Sequence, residues 1–318
     1  MKAIVNTQYG APEVFQLKEV EKPQPKDNEV LVRIRATAVN SGDWRLRKAD
    51  PYAVRFFFGL KKPRITILGG VFSGEVEAVG KNVTLFKPGA NIFGSTDMRF
   101  GAYAQYKCLP ENSAMALKPN VLSHEEAAVI PFGASTALHF LKKVNIKAGQ
   151  NVLIYGASGS VGTAAVQLAK YYGANVTAVC STANLEMVNS IGADKVIDYT
   201  KTDFTKSTER YDVIMCTTNK LSFSQSIKSL HKKGTLILSD AGISEMLKGV
   251  WTSITSSQKV LTGVIRQDAG TIQFLKELID TGKLKAVIDR TYSLEQMTEA
   301  HAYVELGHKK GNVAITVN

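Results

Sequence analysis

Residues Asn151 to Lys170 read NVLIYGASGSVGTAAVQLAK. The stretch passes from an apolar run, through a turn of small residues, into a segment with helical periodicity. Set against the pattern G-x-G-x-x-G, the segment Ala157-Ser158-Gly159-Ser160-Val161-Gly162 keeps the second and third glycines and has alanine at the first, where Gly156 can supply the tight turn. Gly159 lets backbone approach an anion, Gly162 lets the helix lie close on the strand, and the free N–H groups of the first helical turn carry the positive end of the helix dipole. A diphosphate is the natural guest. The expected contacts are Gly156, Ser158, Gly159, Ser160, Val161 and Gly162. Because a strand precedes, a helix follows and a second strand begins shortly after, the stretch predicts the opening unit of a dinucleotide-binding α/β domain.

Working outward, strands alternate with helices across the centre of the chain, which points to a parallel sheet. The expected strands are 152–155, 176–180, 195–198, 212–216, 235–239 and 260–265. Ser123 and Glu126 have capping-box spacing, so a helix should start just before Ala127. The first 110 residues read instead as strands and turns. In Glu29 to Asn40, Val30, Val32, Ile34, Ala36 and Ala38 alternate with Leu31, Arg33, Arg35 and Thr37, the mark of a half-buried strand. Ser73 to Val79 repeats it weakly, and turn signals at Lys87-Pro88-Gly89 and Phe100-Gly101 complete a β-rich domain. A helix at 294–306 and a strand at 312–317 look like a return to that domain.

Composition narrows the class. The 318 residues suffice for roughly two domains, and no stretch approaches the apolar length of a membrane span. Cys108, Cys180 and Cys216 are too few and scattered for a disulfide framework or a zinc knuckle, as expected of a cytoplasmic protein. The 39 Lys and Arg against 28 Asp and Glu give +11, yet the charge is spread over pieces such as RLRK (45–48), LKKPR (60–64) and two HKK triplets. No nucleic acid is expected, since no block of like charge interleaves with aromatics; the balance fits solvated faces and a phosphorylated small ligand.

The second strand of the predicted unit ends Val179-Cys180-Ser181-Thr182, about twenty residues after the glycines, where an NAD-binding chain places an acid for the ribose 2′-hydroxyl. Neither Ser181 nor Thr182 is acidic, and both can donate to a 2′-phosphate, which favours NADP(H). The alternative is that the two hydroxyls cap the next helix.

Across nearly its whole length the chain resembles the medium-chain dehydrogenase/reductase superfamily, and within it the zinc-free quinone oxidoreductase group. MKAIV, EVLVRIRATAVNSGDWRLRK, SGEVEAVGKNVTLFKPGANIFG, GAYAQY, IPFGASTALHFL, YGASGSVGTAAVQLAK and IGADKVIDY occur in family order. The likeness is greatest to the reticulon-4-interacting-protein-like reductases and to bacterial proteins labelled alcohol dehydrogenases. It implies an α/β fold in which a Rossmann doubly wound parallel sheet (118–287) is inserted into a GroES-like, β-rich catalytic domain (1–117 and 288–318). It also implies a cleft between the domains and a homodimer. By the same likeness Asn40 and Thr136 lie beside the nicotinamide, while Ser181, Tyr199 and the basic Lys310 surround the 2′-phosphate. Read from the residues alone, these are a turn asparagine, a helix threonine and a solvated lysine.

Zinc-dependent relatives carry Cys or Asp at the place of Asn40 and His-Glu at Gly70-Val71, and often a four-cysteine lobe. All are missing, and His124, His139, His231, His301 and His308 show no ligand spacing, so no metal is expected. Two departures from the zinc-free pattern stand out: Val71 replaces a frequent acid, and Ala183-Asn184 lacks a frequent arginine. Without a Lewis acid, reduction of an electron-poor acceptor is the easier chemistry. The expected substrate is a small hydrophobic quinone or enone that takes hydride at carbon while donors steady the oxyanion. Asn40 would orient the nicotinamide or the acceptor, and Asp43 and Tyr52 are further catalytic candidates, each with a loop-holding or packing alternative. PYAVRFFFGLKKP (51–63) is open to two readings, an apolar lid or a packed helix. Other activated carbonyls, such as a 2-alkenal or an acyl thioester, and a low-turnover nucleotide-binding regulator remain the alternatives.

Overall fold

The computed structural model describes residues 1–318, the side chain of Ile243 excepted. The chain opens with β1 (Lys2–Asn6), β2 (Phe15–Glu19), β3 (Glu29–Val39), α1 (Ser41–Lys48), α2 (Val54–Phe58), β4 (Val71–Val79), β5 (Asn91–Ser95), β6 (Tyr106–Pro110) and β7 (Met115–Leu117). Then follow α3 (His124–Val144), β8 (Asn151–Tyr155), α4 (Ser160–Tyr171), β9 (Asn175–Cys180), α5 (Leu185–Ser190), β10 (Lys195–Asp198), β11 (Tyr211–Cys216), α6 (Phe223–Lys228) and β12 (Leu230–Leu238). The chain closes with α7 (Ile243–Thr255), β13 (Lys259–Thr262), α8 (Ala269–Asp280), β14 (Ile288–Ser293), α9 (Met297–Glu305) and β15 (Asn312–Thr316). It divides into two compact units. The first comprises Met1–Phe132, Arg266–Thr281 and Ala286–Asn318, and the second Gly133–Ile265 and Gly282–Lys285.

In the second unit six strands form one sheet in the order β10-β9-β8-β11-β12-β13, with every neighbouring pair parallel. The chain enters at the middle, steps out to β10, returns to β11 beside β8 and steps out the other way. This is the doubly wound order, and the reversal between β8 and β11 is its topological switch point, where ligands bind outside the carboxyl ends of the strands. Val152, Leu153 and Ile154 are all buried because β8 is covered on both faces, which explains a continuous apolar run in place of alternation. Two strands differ from expectation. β12 begins at Leu230, because Leu230 already pairs with Tyr211 before a bulge, and the charged HKKG that follows had disguised it. β13 stops at Thr262, where Gly263 turns to a φ of +135°.

In the first unit β3 is the hub. It pairs antiparallel with β4 along one edge and with β6 and β15 along the other, while β5, β7 and β14 extend the sheet and β1 pairs with β2. The core gathers Val30, Val32, Ile34, Phe72, Ile92 and Leu109 with Val313 and Ile315 from the last strand. β3 is more buried than a half-exposed strand should be: Leu31 and Thr37, on the face expected to be wet, are covered. Register breaks within β3 and β4 bend the pair, and a Cβ on Gly74 would lie 2.2 Å from the Arg33 carbonyl, so glycine permits the close approach. α3 starts with the expected capping box: the Ser123 N–H donates to Glu126 Oε2 at 2.8 Å, and the Glu126 N–H to Ser123 Oγ at 3.1 Å. α1 interrupts the stretch read as strands, because this short, charged segment shows no helical stripe, and α2 (VRFFF) falls in the stretch left open between a lid and a packed helix.

Candidate active site

The second unit builds its site from backbone. β8 ends at Tyr155, and Gly156 takes a φ of +81°, a left-handed turn that suits glycine. The N–H groups of Gly156 and Ala157 donate to the Val179 carbonyl at 3.1 and 3.0 Å, which ties the turn to β9. Thr217, just past the end of β11, donates its hydroxyl to the carbonyl oxygen of Gly156 at 2.9 Å or that of Tyr155 at 3.1 Å, so the switch point is clamped from both strands. The turn then enters α4 with Gly159 as N-cap and no side chain satisfying the first N–H groups.

The glycines divide the labour. A Cβ on Gly162 would lie 2.2 Å from the Gly156 carbonyl oxygen, so a side chain there would push α4 off the turn. A Cβ on Gly159 would meet only that same oxygen, at 3.7 Å, so the space above it is open. Ser160 Oγ, on the first residue of α4, is buried and without a partner. An open glycine, uncapped N–H groups and an orphaned hydroxyl fit the diphosphate of a dinucleotide. Ser158 completes the turn, and Val161 lies in the first turn of α4. Gly133 lets α3 come close to this helix start, since a Cβ there would lie 2.5 Å from both Ser160 O and Ser160 Oγ. Thr136, nearly buried, follows on α3 one turn later. Gly133 and Thr217 were not singled out from sequence; a glycine inside the helical IPFGASTALHFL was the available signal for the first, and nothing local marked the second.

At the carboxyl ends of β9 and β10, Ser181 and Tyr199 are neighbours: the Tyr199 N–H donates to the Cys180 carbonyl at 3.1 Å. Tyr199 is exposed, its ring 6.5 Å from that of Tyr155. Ser181 Oγ accepts from Asn184 Nδ2 at 3.1 Å. Thr182 is differently placed from the expectation. Its hydroxyl donates to Asp198 Oδ2 at 2.5 Å, and Thr200 supplies two more hydrogen bonds to the other carboxylate oxygen. These bonds, that from Thr182 first, hold the Asp198 carboxyl below the usual aspartate range, so an ionised acid from β10 stands beside the end of β9. It was missed because it lies a strand further along the chain. Lys310, in the first unit, is exposed, and its N–H donates to Asp289 Oδ2 at 2.9 Å.

The first unit builds with side chains. Asn40 follows β3 and caps α1, where it forms a reciprocal capping box with Asp43, whose carboxylate accepts the Asn40 N–H at 2.8 Å. Asp43 also accepts from the Tyr103 hydroxyl and the Gly69 N–H; burial nevertheless pushes its pKa up to about 6 against those bonds. The Tyr103 oxygen lies 3.1 Å from His301 Nε2. With the Tyr103 proton directed at Asp43, His301 donates from Nε2, and its burial beside Arg47 holds its pKa well below the ordinary value. Arg47, wholly buried, pairs with Glu305, which also binds Lys48 at 2.8 Å. Held in this way, the Asn40 side chain is buried against the Asp43 carboxylate, and its Nδ2, like Arg47 Nε and Nη1 and His301 Nδ1, makes no hydrogen bond of good geometry. Tyr52 is apart from this network: it is exposed, and the Arg55 guanidinium lies 4.9 Å from its ring. Tyr103, His301, Arg47 and Glu305 are too far apart in sequence for any local motif to have joined them.

Among the described residues no group of three or more His, Cys, Asp or Glu converges as a metal site would require, and the Gly70-Val71 position offers no ligand.

Residues 26–120 match the profile of the alcohol dehydrogenase GroES-like domain, and residues 191–315 that of the zinc-binding dehydrogenase family. The chain is 33% identical to the chloroplastic quinone-oxidoreductase QR1 of Triphysaria versicolor over 99% of its own length and 98% of that protein's. It is 31% identical to the 2-methylene-furan-3-one reductase of Solanum lycopersicum over 99% of this chain and 79% of that one. The quinone oxidoreductase from Coxiella burnetii superposes with a TM-score of 0.89 at 26% identity, covering 100% of this chain and 99% of the other. Fold and kinship therefore place the chain in the medium-chain dehydrogenase/reductase superfamily. Within it the chain belongs to the zinc-free quinone oxidoreductase group.

Proposed function

We propose that the protein is a metal-independent oxidoreductase that passes hydride from NADPH to a quinone or an α,β-unsaturated carbonyl compound. The observation that carries this reading is the buried Asn40 amide, fixed at the start of α1 by the capping box with Asp43. A fixed amide donor is what an oxyanion requires. The bound cofactor supplies the hydride. With an enone acceptor, hydride adds to the β-carbon, the C=C pair shifts toward the carbonyl, and the enolate oxygen accepts from Asn40 until a proton from water completes the saturated ketone. With a quinone, hydride and one proton give the hydroquinone. The glycine turn and the α4 N-terminus would hold the diphosphate, and Thr136 would stand by the nicotinamide. Ser181, Tyr199 and Lys310 would receive the 2′-phosphate. Tyr52 would line the acceptor's approach.

The assembly is proposed to be a homodimer. Leu247, Val250, Trp251 and Ile254 form an exposed apolar stripe on α7, which packs on β13, the last strand of its sheet. A stripe beside a free strand edge suits a second copy of the same chain. The compartment is proposed to be the cytoplasm, on the strength of three unpaired cysteines; the QR1 relative is named as chloroplastic. No described helix is long and apolar enough to cross a membrane.

The test is NADPH oxidation across naphthoquinones, short enones, 2-alkenals and saturated aldehydes, with and without chelator. Turnover of quinones or enones that survives the chelator is expected. Cofactor binding without turnover on any acceptor, or activity confined to saturated aldehydes and lost with chelator, would overturn the reading.

A further inference from the structure

Between Pro51 and Arg64 the chain has four cations, Arg55, Lys61, Lys62 and Arg64, and no acid. In the same stretch Tyr52, Phe56, Phe57 and Leu60 are exposed, Phe57 at 78%. α2 is a helix with no fully buried residue, although Val54, Arg55 and Phe58 are half-buried. Yet the stretch is anchored. The Tyr9 hydroxyl donates to the Gly59 carbonyl at 2.8 Å, the Arg55 guanidinium lies 4.7 Å from the Tyr9 ring, and Phe58 stands edge-on to Phe100 at 6.2 Å. The backbone is held against the first unit while Phe56, Phe57 and Leu60 face solvent. Among the described residues no carboxylate pairs with Lys61, Lys62 or Arg64.

An exposed cluster of large apolar side chains marks a contact surface. The charge around it decides which one. The apolar stripe on α7 carries Glu245 and Lys248 and lies beside a strand edge, whereas the 51–64 stretch is cationic without relief. Its complement is apolar within and anionic at its face. Phe56, Phe57 and Leu60 carry no polar group to read a base edge, and Leu60 cannot stack as an aromatic does, which disfavours nucleic acid. We propose that this segment docks the protein peripherally on an anionic lipid bilayer. Phe56, Phe57 and Leu60 enter the headgroup region, and Lys61, Lys62 and Arg64 lie against lipid phosphates. The proposal does not depend on the hydride-transfer reading.

The experiment uses the full chain with vesicles of phosphatidylcholine alone or with phosphatidylglycerol, read by co-sedimentation. Binding to the anionic vesicles is expected, weaker by roughly tenfold or more on neutral ones and falling with salt. Lys61→Glu/Lys62→Glu should abolish it, and Phe56→Ser/Phe57→Ser should weaken it by roughly tenfold with circular dichroism unchanged. Lys232→Glu/Lys233→Glu, an equal charge change elsewhere, should leave most of it. Phe57→Trp should shift its emission to the blue on anionic vesicles and be quenched by brominated lipid. The proposal is overturned if wild type ignores anionic vesicles, if the Lys232/Lys233 pair matters as much as Lys61/Lys62, if the tryptophan at 57 stays in water, or if single-stranded RNA competes fully while brominated lipid fails to quench.

Discussion

The glycine turn after β8 and the Asn40 corner after β3 are both proposed to serve a ligand, but they are built by opposite means. At the turn nearly every group is main chain: N–H groups at the start of α4, an open face over Gly159, and carbonyls clamped by Thr217. At the corner nearly every group is side chain: Asp43, Tyr103, His301, Arg47 and Glu305 stand behind one amide. A backbone site demands that side chains be absent. A side-chain site demands that buried polar groups satisfy one another, because each one left over costs free energy. The first should therefore fail by steric intrusion and the second by a change of protonation.

The largest expected effect is steric. Gly162→Val would force a branched side chain against the Gly156 carbonyl, which already lies 2.2 Å from a built Cβ. A loss of about 3 kcal/mol or more in unfolding free energy is expected, with cofactor binding lost as well. Gly159→Ala should behave otherwise. Its methyl meets little protein, so the denaturant midpoint should hold, but it stands where the diphosphate approaches, so NADPH affinity should fall roughly tenfold or more. Chemical denaturation beside fluorescence titration separates the two. If both variants unfold alike, the turn is a packing device and not a cradle.

This contrast also explains what could be read in advance. The turn lies within twenty consecutive residues, and glycine spacing between an apolar run and a helical run is legible without neighbours. Most of the six parallel strands were legible for the same reason, each centred on a local apolar run, while the charged HKKG hid the start of β12. Asp43 joins Tyr103 and His301 only because α1, the segment after β5 and α9 meet in one core, and no local period records that meeting. Asp198 escaped notice for a related cause. The end of β9 carries no acid of its own, while the sheet delivers one from β10, in register with Cys180. α1 hid because a helix of eight residues with mostly charged or polar side chains has no apolar stripe to betray it.

Next in size is an electrostatic effect in the Asn40 corner. Asp43 has its pKa raised from 3.8 to about 6 by burial, so in the window between those values the folded chain keeps a proton that the unfolded chain has released. The stability this contributes is present below the lower value and lost as pH rises through the upper one, by about 3 kcal/mol. His301 has the opposite sense. Its pKa is lowered by burial and by Arg47, so the unfolded chain takes up a proton that the fold refuses, and stability falls as pH drops below the ordinary histidine value. Asp43→Asn and His301→Gln should thus remove opposing slopes from the curve of denaturation midpoint against pH. Parallel curves for wild type and both variants would show that neither group titrates as its surroundings require.

Asn40→Ala tests whether the corner serves chemistry or only its own turn. Turnover should fall roughly a hundredfold, the usual cost of removing one oxyanion donor, while NADPH affinity stays within about threefold. Initial rates and cofactor titration give the two numbers. An equal loss in both, or in neither, would reduce Asn40 to a helix cap.

The last effect concerns cofactor choice. NADPH is expected to be preferred to NADH through Ser181, Tyr199 and Lys310, and not through the glycine turn, which meets only what the cofactors share. Each charge-assisted hydrogen bond to the 2′-phosphate is worth about 1.5–3 kcal/mol, so Lys310→Ala should cost roughly ten- to a hundredfold in NADPH affinity and leave NADH nearly unchanged. Ser181→Asp should go further, since it adds an acid that accepts from a 2′-hydroxyl and repels a phosphate. Thr182→Val should do least, because the Thr182 hydroxyl already gives its proton to Asp198. The readout is the ratio of kcat/KM for the two cofactors across the four proteins. If wild type prefers NADH, or if Thr182→Val moves the ratio more than Ser181→Asp does, the ionised Asp198 beside β9 governs the choice, and the absence of an acid from β9 itself has no bearing on it.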